Sequence, residues 1–150
     1  APYASRAIPG WRSVTVTTDI GVFKVSFLRA FAPLTSQKIG ALLEKKFYQG
    51  LGFHRVVPNF VVQGGDPRGD GWGGPGYTMR CENNPIDYKV GTVGMALAGK
   101  DTGGSQFFVA LDEQPHLLGT YTVFGHVSEG MDVIRSLVPG DTIQAVELKR

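Results

Sequence analysis

The sequence predicts an all-β-dominated fold, a closed eight-stranded antiparallel β-barrel with two capping α-helices. Three observations point there. Short segments of β-branched and aromatic residues alternate with polar ones at a period of two. Only two stretches carry the apolar stripe of an amphipathic helix. Glycine is abundant, with 21 residues and 9 prolines in a chain of 150, which suits many tight turns and argues against a helix bundle. Closing the sheet removes exposed edges, and two amphipathic helices would cover the open ends. The strand count alone fits a two-sheet sandwich equally well.

The elements follow in chain order. Ala1–Gly10 is small, polar and proline-containing, and reads as a tail or linker ahead of one domain over residues 11–150. Val14 and Val16 alternate with Thr15 and Thr17. After the Asp19-Ile20-Gly21 turn, Phe23, Val25 and Phe27 alternate with Lys24 and Ser26. The pair predicts an opening hairpin with one buried face. Pro33 suits a helix's first turn, where its missing N–H would have no partner. Ile39, Leu42, Leu43 and Phe47 then form one stripe, ended by Gly50 and Gly52. Phe53–Val57 and Phe60–Gln63 predict a second strand pair around a Pro58-Asn59 turn. A glycine-rich loop spans Gly64–Gly76. Val93–Ala98, Gln106–Leu111 and Thr122–Val127 read as strands. Met131, Ile134, Leu137 and Val138 mark the second helix, and Val146 and Leu148 a closing strand.

Composition excludes several function classes. Apolar residues make up 42% and charged residues 19%, which is too apolar for disorder. The net charge is +2 and the longest basic run is Lys45-Lys46, so there is no electrostatic case for nucleic acid. The single cysteine, Cys81, cannot form an internal disulfide. No apolar run approaches the roughly 20 residues of a membrane-spanning helix. No signal-peptide pattern is present, which leans toward the cytoplasm without fixing a compartment. The chain starts at Ala1 without methionine, as either a processed or an excised domain of something longer would.

Two strings carry the functional information. The first is FHRVVPNFVVQGGD, Phe53–Asp66, which sets Arg55 and Gln63 among apolar strand residues. The second is GSQFFV, Gly104–Val109. In this order and spacing they resemble the cyclophilin family of peptidyl-prolyl cis-trans isomerases, and the resemblance extends over roughly Val14 to Lys149. It implies the barrel architecture and a reaction, rotation about the bond preceding proline. The barrier there is about 18–20 kcal/mol, because the nitrogen lone pair is delocalised into the carbonyl. Such catalysis needs no nucleophile, metal or cofactor. It needs a grip on the proline ring and a donor that favours the twisted, pyramidal nitrogen.

The resemblance places the catalytic arginine at Arg55, whose charged fork of N–H groups suits that task. From periodicity alone Arg55 reads as a surface strand residue. Gln63 is implied as the amide that orients the guanidinium and holds a substrate backbone group. Phe60, Val61, Phe108 and Leu117, with Met95 nearby, correspond to the proline pocket. Ala96, Leu97, Ala98, Thr102 and Gln106 correspond to the neighbouring side of the groove. Of the adjoining Phe107 and Phe108, one should face the core and the other the groove. By the same alternation His54 should face away from Arg55.

Departures from the family pattern lie in HLLGTYTVFG, His116–Gly125. His116 stands where cyclosporin-sensitive relatives carry tryptophan, so cyclosporin binding is expected to be weak. Tyr121 stands where many eukaryotic members carry histidine and looks bacterial. Val61 replaces a common methionine and Leu97 a common asparagine. The expected partners are proline-containing peptides and unfolded proteins, met by a monomer.

Other patterns are weaker. Gly71–Gly76 formally matches GxGxxG, but Pro75 interrupts it and no helical stripe follows. A surface loop is the better reading, with Trp72 expected to cover part of the apolar surface. Cys81, His54, His116 and His126 lack zinc-ligand spacing, so no metal is implied. Two rival functions fit a barrel: a non-catalytic proline-peptide-binding module, and a lipocalin-like small-molecule carrier. The second requires a hollow interior, which the large strand residues argue against.

Overall fold

The computed structural model describes residues 11–79, 82, 86–97, 103–114 and 121–149. The expected tail, Cys81, Ala98, Thr102, His116 and Leu117 lie outside the described residues.

β1 (Ser13–Thr18) and β2 (Gly21–Phe27) form the opening hairpin, with Val14 opposite Val25 and Val16 opposite Phe23. All four side chains are buried, as the period-two pattern requires. α1 (Pro33–Glu44) begins on its proline and buries Ile39, Leu42 and Leu43. The helix stops short of Phe47, which still packs on the core. β3 (Arg55–Val57) and β4 (Val61–Gly64) flank a turn in which Asn59 takes φ 60°, a left-handed conformation asparagine tolerates. β5 (Thr92–Met95), β6 (Phe107–Ala110), β7 (Val123–Glu129), α2 (Met131–Ser136) and β8 (Ile143–Lys149) complete the chain.

The eight strands make one antiparallel sheet in the order β3-β4-β6-β5-β7-β2-β1-β8. The expected architecture holds, with one correction: the barrel is not closed by a full ladder. β3 has three residues and β8 has seven, so the edges cannot pair along their length. The segment before β3 and the start of β8 form a short seam instead. Gly50 N–H donates to Ile143 O at 2.7 Å, Ile143 N–H to Leu51 O at 2.9 Å, and Phe53 N–H to Asp141 O at 3.1 Å.

The interior is filled. Its residual cavity is about 50 Å³, walled by side chains including Phe23, Val93, Phe107, Val109 and Phe124. Sites for small organic ligands run to about 300–1,000 Å³, so the small-molecule carrier is ruled out.

α1 is capped from a distance. Ala32, at the N-cap, has no side-chain acceptor. The Glu82 carboxylate accepts from Leu34 N–H at 3.0 Å, from Thr35 N–H, and from the Thr35 hydroxyl at 2.6 Å. Glu82 N–H in turn donates to Thr122 Oγ1 at 2.8 Å. A negative group at a helix N-terminus satisfies its free N–H groups and complements the helix dipole. The contact fixes α1 against the segment that leads into β7.

Candidate active site

Strand register builds the site. Arg55 on β3 lies opposite Gln63 on β4, Gln63 opposite Phe108 on β6, and Phe108 opposite Gly94 on β5. Opposed residues share a sheet face, so the four form one row across the outer surface. The next row in from β3 carries Val57, Val61 and Ala110. The intervening residues Val56, Val62, Val109 and Val93 point the other way, into the main core. Phe107 and Phe108 divide as alternation predicts. Phe107 packs edge-on against Tyr48 and Phe53 inside the barrel, and Phe108 belongs to an outer cluster with Val61, Tyr88 and Val123.

The outer row floors a cleft of about 440 Å³. Arg55, Phe60, Val61, Gln63, Phe108 and Tyr121 all line it, with Ala96 and Leu97 at one side. The exposed Arg55 guanidinium carbon lies 5.9 Å from the centre of the Phe60 ring, within cation–π range. Its Nη1 reaches Gln63 Oε1 at 3.4 Å, the long end of a hydrogen bond. Phe108 stacks on Tyr88 (centroids 5.8 Å apart, planes 14°) and meets Tyr121 edge-on at 5.5 Å. Tyr88 is buried and donates its hydroxyl to Tyr121 O at 2.8 Å. Burial, with Tyr121 nearby, pushes the Tyr88 phenol well above its ordinary pKa.

Glycine is required under the ring. A Cβ on Gly94 would stand 2.6 Å from Phe108 Cζ, closer than real Cβ contacts come. The ring can therefore lie flat over β5 only while residue 94 has no side chain.

A hydrogen-bonded chain leads away from Arg55. Gln63 Nε2 donates to Gln106 Oε1 at 3.0 Å, and Gln106 Nε2 donates to Gly71 O and Gly73 O, both at 2.9 Å. Gln106 is held by its neighbour Ser105, whose hydroxyl donates to Gly65 O at 2.6 Å and whose carbonyl accepts from Tyr48 at 2.7 Å. The loop itself winds around Asp66, which is 2% exposed. Its carboxylate accepts from Arg68 N–H at 2.8 Å and from Gly71 N–H. Burial acts to raise the Asp66 pKa, but backbone N–H groups of Arg68, Gly71 and Asp70, with nearby His54, outweigh it and hold the carboxyl below its ordinary value.

Three expectations change. Met95 is not part of the cleft. It lies opposite Phe107, is 1% exposed and sits in the main core, because that register position faces inward. His54 does not face away. It precedes the first residue of β3, where strand alternation does not yet apply, and it lines the cleft beside Asp70 and Gly71. Its Nδ1 is buried without a hydrogen-bond partner among the described residues. Trp72 is not packed down as cover, being 76% exposed. Gly94 and Tyr88, which shape the floor, carry no local sequence signal. Gly94 acquires its role from its position opposite Phe108, and Tyr88 from stacking on that ring from the loop before β5.

Comparison with known proteins agrees with this geometry. The family model described as cyclophilin type peptidyl-prolyl cis-trans isomerase/CLD matches residues 13–149. Peptidyl-prolyl cis-trans isomerase B of Bacillus subtilis is 49% identical over 120 residues, covering 79% of this chain and 84% of the relative. A peptidyl-prolyl cis-trans isomerase of Synechococcus elongatus is 46% identical over 133 residues, covering 87% and 92%. Among solved structures, a Cryptosporidium parvum cyclophilin type isomerase superposes with TM-score 0.86 at 27% identity, covering 93% of this chain and 98% of that one. The same protein, in the presence of the dipeptide Ala-Pro, also gives TM-score 0.86. The chain belongs to the cyclophilin-type peptidyl-prolyl cis-trans isomerases.

Proposed function

We propose that the cleft between Arg55 and the Phe60–Phe108 floor is where this chain binds an Xaa-Pro segment and rotates its peptide bond. The proline ring packs on Phe60, Val61 and Phe108, and the family resemblance adds Leu117 to this set. Arg55 holds the proline carbonyl with one edge of its fork and directs an N–H at the prolyl nitrogen. That nitrogen accepts a hydrogen bond only once its lone pair leaves the amide. The interaction therefore strengthens in the twisted transition state and lowers the barrier. Gln63 orients the guanidinium and, with Gln106, holds the substrate backbone. Ala96, Leu97 and Tyr121 line the path of the extended chain. The reaction transfers no proton, so His54 serves as a wall.

The observation that carries this reading is the cross-strand row, which sets a cation and an apolar hollow on one face of the sheet. The substrates are exposed Xaa-Pro segments of unfolded or flexible proteins, met by a monomer, with weak cyclosporin binding because of His116. The test is NMR exchange spectroscopy on a short Xaa-Pro peptide. Catalytic protein should speed cis-trans exchange well beyond the spontaneous rate of tens of seconds or longer. Saturable binding without acceleration would favour the non-catalytic module.

A further inference from the structure

Tyr88 ties two walls of the prolyl cleft together from behind. It is 2% exposed and packs in the outer cluster with Val61, Phe108 and Val123. Its ring lies nearly parallel to that of Phe108, and its hydroxyl donates to the backbone carbonyl of Tyr121. Phe108 and Tyr121 meet edge to face, with 80° between their planes. The three residues close a triangle, made of one stacked contact, one hydrogen bond and one edge contact. A side chain that holds both walls at once sets the separation between them.

The base of the triangle is itself fixed. Thr92 Oγ1, buried at the start of β5, accepts from Lys89 N–H at 3.0 Å and donates to Asp87 O at 3.2 Å. It thereby clamps the residues on either side of Tyr88. The Tyr88 carbonyl accepts from Gln114 N–H at 2.7 Å. A phenol held at its backbone and at its hydroxyl has little freedom to yield when a larger group presses on Phe108.

We propose that Tyr88 is a positioning residue that sets the width of the proline hollow, so that the hollow takes a five-membered ring and resists a six-membered one. The role rests on the prolyl cleft proposed above and adds a selectivity by ring size. Leucine at 88 would fill less of the space behind Phe108 and leave the Tyr121 carbonyl without its donor. Phenylalanine would keep the stack and lose only the hydroxyl.

The test compares two peptides that differ at one residue, Ala-Pro and Ala-pipecolyl, the second with the ring enlarged by one methylene. Wild type should favour the proline peptide in kcat/KM by about tenfold or more, the usual discrimination of a packed apolar pocket against one methylene. In Tyr88→Phe the ratio should fall to about a third of the wild-type value, and in Tyr88→Leu to about one. Val16→Ala opens a cavity in the main core, away from the cleft. It should lower stability and leave the ratio at the wild-type value, which separates pocket width from general loosening. An unchanged ratio in Tyr88→Phe, an equal fall in Val16→Ala, or no discrimination by wild type overturns the inference. If Tyr88→Leu does not fold, Tyr88→Phe decides. If neither peptide is isomerised, the catalytic reading fails, and the ratio of their dissociation constants is read instead. The same fall in Tyr88→Phe then supports the role of Tyr88, and an unchanged ratio refutes it.

Discussion

The two faces of β4, β5 and β6 make the same strands do opposite things. Inward, Val62, Val93, Met95, Phe107 and Val109 fill the barrel until about 50 Å³ is left. Outward, Val61, Gln63 and Phe108 floor an open cleft of about 440 Å³ beside Arg55. The two faces are one residue apart along each strand. Both bury side chains, Val61 and Phe108 being 3% and 6% exposed, but only the outer one leaves a hollow open beside it. The site is therefore a property of register. A one-residue slip would exchange floor for core.

Truncating the adjoining phenylalanines separately tests whether the two faces act independently. Phe107→Ala should cost about 3 kcal/mol, the low end for a core phenylalanine because Phe107 is only partly buried. The protein that remains folded should keep kcat/KM near wild type. Phe108→Ala should lose most activity and cost at least as much stability, because Phe108 is 6% exposed. Denaturant unfolding and kcat/KM, measured where both variants are folded, check this. Equal activity losses would mean that the faces are not independent.

A gentler probe is Gly94→Ala. Its methyl group would displace the Phe108 ring without entering the barrel. A roughly tenfold fall in kcat/KM is expected, with about 1–3 kcal/mol of overpacking cost. Wild-type activity in this variant would show that the ring need not lie flat.

A smaller effect sharpens the comparison at the loop. Asp66→Asn removes an acceptor from the turn that carries Gly71 and Gly73, and should cost about 1–3 kcal/mol at neutral pH. The native Asp66 carboxyl is held below its ordinary value of 3.8. Its contribution is therefore complete above about pH 4 and is lost as pH falls through the lowered native value. The stability gap between wild type and variant should be narrower at pH 3 than at pH 6, as measured by unfolding curves. A constant gap at both pH values would assign the loss to shape rather than charge.

Much of this was legible in the chain. Alternating valines and threonines fix the opening hairpin, and two strings place Arg55, Gln63 and Phe108 on strands. Other features depend on contacts that no local pattern encodes. Alternation says that Gly94 and Met95 face opposite ways, but only pairing with β6 says which one meets the groove. His54 lies one residue before its strand, outside the reach of the period. Glu82 caps a helix 47 residues away, and nothing near Ala32 announces it. The barrel seam forms from Gly50–Phe53, which carries no strand signal, and the stretch from Asp141 into the first residue of β8. Trp72 reads as apolar cover by residue type, whereas the hydrogen bonds around Asp66 and Gln106 present it to solvent.

The central claim is that Arg55 acts on the half-rotated bond rather than on the bound peptide. NMR exchange and titration of one Xaa-Pro peptide, with wild type and Arg55→Ala side by side, test it most directly. The account predicts a fall in kcat of at least about 100-fold, with peptide affinity changed by no more than a few-fold and the unfolding midpoint preserved. Exchange as fast in Arg55→Ala as in wild type would contradict it.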